Sequence, residues 1–529
     1  MKAIFAMPHV LPTTEQFPLE LVTKMRFPKI LLVSLPLVVP SVTHAADVNG
    51  YTAQFELNVG SAPACSAIID SVNDSDWNRL NDPAYPVICI APGDYSSRGA
   101  ITLTVNGSPS NKRWLRYYNS ANSNPPWEQS APERAKLNRL VFSSANYWII
   151  DGITVDDGGA VQEAVKFMDG TNAKNNVVNR VLIENSGDHL VSVASGNDDN
   201  SIQNSVLRNC VVAPGLDSSA ISISGNVRNT RIVNNEIYNC VKGVYVSEHG
   251  AAGTIVENND IYINTDRYTN CNGSLTTTGT CSAAEVLIGM KSGGTSSNPV
   301  LIIKNRMWGM RAADTSVCCA GGGAQGDAVG LDGNGDGADP NTTGTKYTML
   351  RNNIVMDSQH GITSYWDGVR NNSMIGNILY NIRRYSTKFQ SYAFSAEGGY
   401  NSSSEWYLNT IVDSDVWMNF GVAPNSDVRC NLAINSGSAA SSPGSGSQVT
   451  NNAYYATSGT ATDNSANSIA RFQVVDSKNT SFCFTRKLLT NPEQVCIPNA
   501  KSTAQSPHYR ACTADIGTRA GIGINDIAP

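Results

Sequence analysis

One recurring frame constrains this chain more than any other feature: an apolar-alternating stretch, then Asn, any residue, an aliphatic residue, and a second Asn or polar turn. It reads NRVLIEN, NSVLRN, NNEIYN, NNDIYIN, KNRMWG, NNIVMD, GNILYN, LNTIVD, CNLAIN and NNAYY. Its Asn positions are 179, 204, 235, 259, 305, 353, 377, 409, 431 and 452, with Asp151 of WIIDGITV in the same place one repeat earlier. Successive steps are 25, 31, 24, 46, 48, 24, 32, 22 and 21 residues. A recurring step of 21 to 25 residues with β-branched residues alternating with polar ones predicts one turn of a parallel β-solenoid per repeat. Neither the Leu framework of a leucine-rich repeat nor the four strands per repeat of a propeller is present. The expected fold is all-β, a single right-handed parallel β-helix in which each buried Asn bonds the backbone of the next coil.

The rest of the chain is organised around that core. Residues 26–45, RFPKILLVSLPLVVPSVTHA, combine Arg26 and Lys29 with an apolar run of signal-peptide length and small residues before a cut ahead of Ala46. Residues 1–45 are therefore expected to be an N-terminal extension and signal peptide, too short and too Pro-broken for a membrane span, and the protein secreted or periplasmic. Residues 46–145 are read as an N-terminal cap and first coils, 146–455 as the β-helix core, and 456–529 as a C-terminal coil and cap. The whole chain carries net charge −6; its first 45 residues hold four basic and two acidic residues, which leaves the mature part at −8. Nucleic acid is an unsuitable partner for such a surface. All 12 cysteines lie after residue 45 without metal-site spacing, which favours disulfides. The expected pairs are Cys65 with Cys89, Cys210 with Cys240 and Cys271 with Cys281, with Cys483, Cys496 and Cys512 pinning the C-terminal region. A monomer is expected.

Each repeat also carries a strand that ends near a Gly-containing turn: GVYVSEHG, EVLIGMKSGG, DAVGLDG, GITSYWDG and YAFSAEGG among them. Alternate residues of a strand share a face. With Val286, Ile288 and Met290 inside, Leu287, Gly289 and Lys291 fall outside, and the same parity turns Asp332, Tyr365, Asp367 and Glu397 outward. Neighbouring coils sit about 4.8 Å apart, so His249 (or Glu248), Lys291, Asp332, Asp367 and Glu397 are expected to form one column. Gly289 and Gly330 would leave a floor without side chains for a sugar ring. The two enlarged steps insert loops around 265–283 and 311–326 beside the Lys291 coil, and long loops in a compact repeat are usually functional. Asp332-Gly-Asn334-Gly-Asp336-Gly matches the start of a calcium loop, although position twelve is Thr343 rather than Glu.

An acidic polysaccharide can be cut without water when a base removes the C5 proton of a uronate whose carboxylate is neutralised, after which the 4-O bond eliminates. Lys291 would be the base, assisted by His249. Arg311 would serve as clamp or proton donor, Glu248, Glu285, Asp332 and Asp336 would hold Ca²⁺, and Tyr245, Arg306, Tyr365, Asp367 and Glu397 would contact the polymer. An inverting hydrolase using Asp332 and Asp367, or a non-catalytic carbohydrate-binding β-helix protein, are the alternative readings.

The segments VICIAPGDY, KRWLRYYNS and SSANYWIIDGITV resemble the opening coils of secreted pectate-lyase-like β-helix proteins, including the alginate lyase and chondroitinase B family. That resemblance implies a polysaccharide lyase, with alginate first and then pectate or a glycosaminoglycan as substrate. Glu285, Lys291 and Arg311 stand in the order of that family's acidic residue, catalytic lysine and catalytic arginine. They depart from it where Arg-His-Gly is replaced by Arg311-Ala312-Ala313. IGMKSGG is also similar to the lysine-glycine segment of a calcium-dependent pectate lyase family.

Overall fold

The computed structural model describes residues 53–118, 124–210, 218–240, 242–247, 250–264, 286–310, 326–333, 344–365, 368–384, 391–396, 403–420, 425–437, 445–450, 452–455 and 481–498. Three long parallel sheets of 14, 13 and 11 strands run through them, and each coil contributes one strand to each sheet in turn. One such coil is Val300–Ile303 in the first sheet, Arg306–Trp308 in the second and Asp327–Asp332 in the third, before the chain returns to the first sheet at Thr348–Arg351. The fold is a right-handed parallel β-helix, the hand that crossovers between parallel strands adopt. Its interior is a continuous apolar column, with Ile150, Val178, Ile202, Ile232, Val256, Ile302 and Leu350 all fully buried.

The Asn-bearing frame makes the corner between the first and second sheets. Arg180, Asn204, Asn234, Asn258, Lys304, Asn352, Leu408 and Cys430 all have φ between 52° and 59° there, except that glycines 152 and 376 serve in their coils. Asn tolerates this left-handed conformation better than most residues, because its short polar side chain bonds locally. The following residue points inward and forms the ladder. Oδ1 of Asn259 accepts from the backbone N–H and the Nδ2 of Asn235 at 2.9 and 3.0 Å, and Nδ2 of Asn235 also donates to the Ile202 carbonyl. The same exchange links Asn259 to Asn305, Asn305 to Asn353, and onward through Asn377, Asn409 and Asn431 to Asn452. The second polar residue of the frame closes the corner after the second sheet, where Asn209, Asn239, Asp357, Asn381, Asp413 and Asn435 again take positive φ.

Three of the residues assigned to the ladder from sequence lie outside it. Asn179 sits in the first sheet, in register with Asp151 and Gln203, and Asn204 is the left-handed corner residue itself. Ser205 holds the ladder position in that coil: its N–H donates to Asn235, and its Oγ accepts from Val181. The frame slips because Val181 and Ser205 follow the left-handed corner residues Arg180 and Asn204 in those coils, where the later coils place an Asn directly after the corner.

Cysteine pairs 65–89 and 210–240 form as expected, each joining residues one coil apart. Cys271 and Cys281 lie outside the described residues. Cys483 pairs with Cys496 across an antiparallel hairpin, Ser481–Arg486 with Glu493–Pro498. This C-terminal hairpin is not a further coil; it lies against the flank of the second sheet. Phe484 and Ile497 pack there on Tyr262, Trp308, Ile354, Met356 and Ile378. Tyr238, Tyr262 and Trp308 stack one above another beneath it. Buried carboxylates fasten it: Asp260 accepts from the Leu488 N–H, and Glu236 from the backbone and hydroxyl of Thr490. Among the described residues no helix is long and apolar enough to cross a membrane.

Candidate active site

The site residues come from the third sheet, where register fixes what lies beside what. Tyr245, Gly289, Gly330, Thr363 and Ser395 align across successive coils, as do Lys242, Val286, Asp327 and His360 one outward position earlier. Asp332 and Tyr365 align at the strand ends, and Lys291 follows directly on its own strand. Strict alternation does not hold along these strands. Leu287 and Ile288 are both in the core, as are Ala328 and Val329. A Cβ on Gly243 or Gly361 would press into Ile261 or Leu379 of the second sheet, so those positions face inward too. The chain bends as it enters the sheet from a corner, placing two consecutive residues inside. Leu287 is thus buried rather than outward, and an additional outward position opens at the start of each strand.

That opening position carries three residues the sequence pattern did not single out. Asp327 Oδ1 lies 2.9 Å from His360 Nδ1 and accepts a 2.7 Å hydrogen bond from the Tyr365 hydroxyl. The Tyr365 oxygen is also 3.3 Å from His360 Nδ1. His360 and Asp327 are buried, so Tyr365 is the member of this network that faces the groove. Lys242, also buried, holds its Nζ 4.0 Å from the centre of the Tyr245 ring. The signal available was a polar residue three places ahead of an outward glycine or threonine, as in D-A-V-G and H-G-I-T.

Lys291 is the most exposed of the group, with 41% of its side chain accessible, and its Nζ lies 3.9 Å from Asp332 Oδ2. Burial pushes the Asp332 carboxyl up to about 6, against the opposing pull of Lys291 and Lys242. Its Oδ1 is buried and has no hydrogen-bond partner. A Cβ at Gly289 would meet the Tyr245 ring at 2.8 Å, so glycine there lets the tyrosine lie flat over the next coil. Tyr245, Lys291, Asp332 and Tyr365 are therefore gathered around a glycine floor. Arg306 is not: it sits in the second sheet, 1% exposed, bound to Asp260 and Asn258. Its outward reading fails because the second sheet there is covered by the C-terminal hairpin. Glu248, His249, Glu285, Arg311, Asp336, Asp367 and Glu397 lie outside the described residues.

Among the described residues no three His, Cys, Asp or Glu side chains converge as a metal site. Asp332 Oδ1 is the one atom here that suits a cation, since a buried unpaired carboxylate oxygen is costly and calcium prefers oxygen ligands.

Solved structures resemble this parallel β-helix in fold. No family profile and no curated sequence matches the chain. An alginate lyase from Paenibacillus sp. str. FPU-7 is 14% identical, with 65% of this chain and 95% of that one aligned and a TM-score of 0.35. A mannuronic acid specific polysaccharide lyase of family 6 from human gut microbiota is 12% identical over 74% and 87% of the two chains, with a TM-score of 0.45. PfbA, a surface adhesin of Streptococcus pneumoniae, is 11% identical over 78% and 91%, with a TM-score of 0.43. The chain is similar to pectate-lyase-like β-helix proteins in fold.

Proposed function

We propose that the protein is an exported polysaccharide lyase that cleaves a uronate-bearing polymer by β-elimination. The observation that carries this reading is the pairing of Lys291 and Asp332 beside the Asp327–His360–Tyr365 network, next to Gly289 and Gly330 with the Tyr245 ring laid over the first of them. Elimination needs a base at C5 and an acid at the leaving 4-oxygen, held on either side of one sugar. Lys291 and Tyr365 stand two coils apart on one outward row, about 10 Å at the backbone. Lys291 takes the C5 proton, with Asp332 stabilising the ammonium that forms. Tyr365 protonates the departing oxygen, and Asp327 with His360 behind it holds the hydroxyl in place and takes part in restoring its proton.

The uronate carboxylate must also be neutralised. Calcium held through Asp332 Oδ1, with Glu248, Glu285 and Asp336 as the further candidate ligands, would supply that charge and make C5 more acidic. Disulfides in three sites of the described chain support an oxidising, extracytoplasmic location. Alginate, pectate and glycosaminoglycans are the polymers the sequence resemblance suggests. The test is purified mature protein on each of them, followed by ultraviolet absorbance for the unsaturated product. Reducing ends without that absorbance would mean hydrolysis, and neither signal would mean a binder.

A further inference from the structure

The groove does not end at Tyr245. The outward column continues through Ser222, Ser192 and Lys166, each in register with the next, and a cavity of about 490 Å³ opens over these coils. It lies two to four coils from Lys291, about 10 to 19 Å along the helix axis. A polymer chain seated on the glycine floor and following the coils would run directly into it.

The charge of this second region differs from that of the first. Its lysine is already engaged: Lys166 Nζ lies 2.7 Å from Glu163 Oε1, and Arg139 reaches the other oxygen of the same carboxylate at 2.8 Å. Those bonds hold the Glu163 carboxyl below its ordinary range, against its partial burial. Asp169 and Asp188 line the same cavity. His189 accepts the Ser219 N–H at Nδ1, which directs its proton-bearing Nε2 toward Asp188, 3.5 Å away. The cavity thus presents three carboxylates against one lysine and one histidine, and the nearby Arg139 does not reverse the balance. Ser192, Ser195, Ser222, Ser224 and Ser247 add hydroxyls to the lining, which suit sugar hydroxyls as donors and acceptors alike, and Tyr245 joins the cavity to the first region.

We infer that this second region is a subsite for uncharged sugars, so that the polymer cut at Lys291 is a heteropolysaccharide in which uronates are separated by neutral residues. This deepens the lyase reading and rests on it. It places homopolyuronates such as alginate and pectate behind mixed polymers, because a second uronate would meet Asp169 and Asp188 where the first meets Lys291.

The experiment compares polymannuronate, polygalacturonate and deacylated gellan, in which glucuronates are separated by neutral hexoses. Binding is measured by titration calorimetry with the Lys291→Ala protein and cleavage with wild type. Gellan is expected to bind more tightly than either homopolymer. The double variant Asp169→Asn/Asp188→Asn should gain about tenfold in affinity for the homopolymers and little for gellan, since removing two like charges acts only on a charged ligand. High ionic strength should erase that gain. Homopolymers binding the Lys291→Ala protein as tightly as gellan, or a double variant with unchanged preference, would overturn the subsite, as would binding of none of the three. Charge-dependent binding with no unsaturated product from any polymer would instead uphold the subsite and remove the lyase reading.

Discussion

Lys291 Nζ lies 3.9 Å from Asp332 Oδ2 on the neighbouring coil, two residues past Gly289 and Gly330, which pair in register. In the proposed lyase reading Lys291 is the base, and its exposed side chain contributes little packing. Lys291→Ala should therefore lose at least about 10²-fold in turnover, the scale expected for a catalytic base, while its melting temperature stays at the wild-type value. Retention of more than a tenth of the rate would remove Lys291 from the chemistry.

Asp332 is the strained member of the pair. Its carboxyl is raised from an ordinary 3.8 to about 6, so the stability associated with its protonated form is fully present below the unfolded value and lost as pH rises through about 6. Asp332→Asn removes that loss, and its denaturation midpoint should exceed wild type above pH 6 and converge with it toward pH 4, about the unfolded value. Activity should move the other way: the acid limb of the wild-type profile is expected near pH 6, the value of this carboxyl, and should vanish in the variant. A variant both less stable and equally active would contradict the assignment.

Tyr365→Phe tests the donor. The hydroxyl is bonded to Asp327 and faces the groove, while His360 behind it is buried. Turnover should fall by about 10²-fold with KM little changed, because the ring and its packing remain. A leaving group that needs no proton would restore much of the rate. Equal losses on good and poor leaving groups would argue that Tyr365 only positions the sugar.

The ladder offers a test of the scaffold independent of the chemistry. Asn235 and Asn353 each satisfy a carbonyl in an earlier coil and receive no replacement if truncated. Asn235→Ala and Asn353→Ala should each cost about 1 to 3 kcal/mol in urea denaturation without altering product profiles. Asn179→Ala, outside the ladder, should not remove such a link. Normal stability in both ladder variants would contradict the assigned role.

The repeating coil, the ladder from Asn235 onward and two of the disulfides were legible because repetition magnifies a weak local signal: each coil repeats the same corner chemistry. The outward turn of Lys291, Asp332 and Tyr365 was legible through strand parity, although the register sets Tyr365 rather than Asp367 beside Asp332. Lys242, Asp327 and His360 were not, since the bend that puts Leu287 and Ile288 both inside shifts the parity at the start of each strand, and nothing in the alternation announces it. Arg306 was misplaced for a different reason. Its register neighbours are Asp260, to which it is bonded, and Ile354; only the return of Phe484 and Ile497 from far along the chain covers that flank.

Calcium is the remaining element of the chemistry, and the orphaned Oδ1 of Asp332 gives it a measurable consequence. A ligand that binds the folded chain raises its melting temperature in proportion to occupancy. Millimolar Ca²⁺ should therefore stabilise wild type, and Asp332→Asn should blunt that shift whether or not the enzyme turns over. Exhaustive chelation should suppress product formation and added Ca²⁺ restore it, because a chain of net charge −6 approaching a polyanion needs a local positive centre. Full activity after chelation, with no thermal shift, would hand carboxylate neutralisation to side chains. Arg311→Ala would then be the deciding variant: loss of kcat with folding intact would identify the arginine as the clamp.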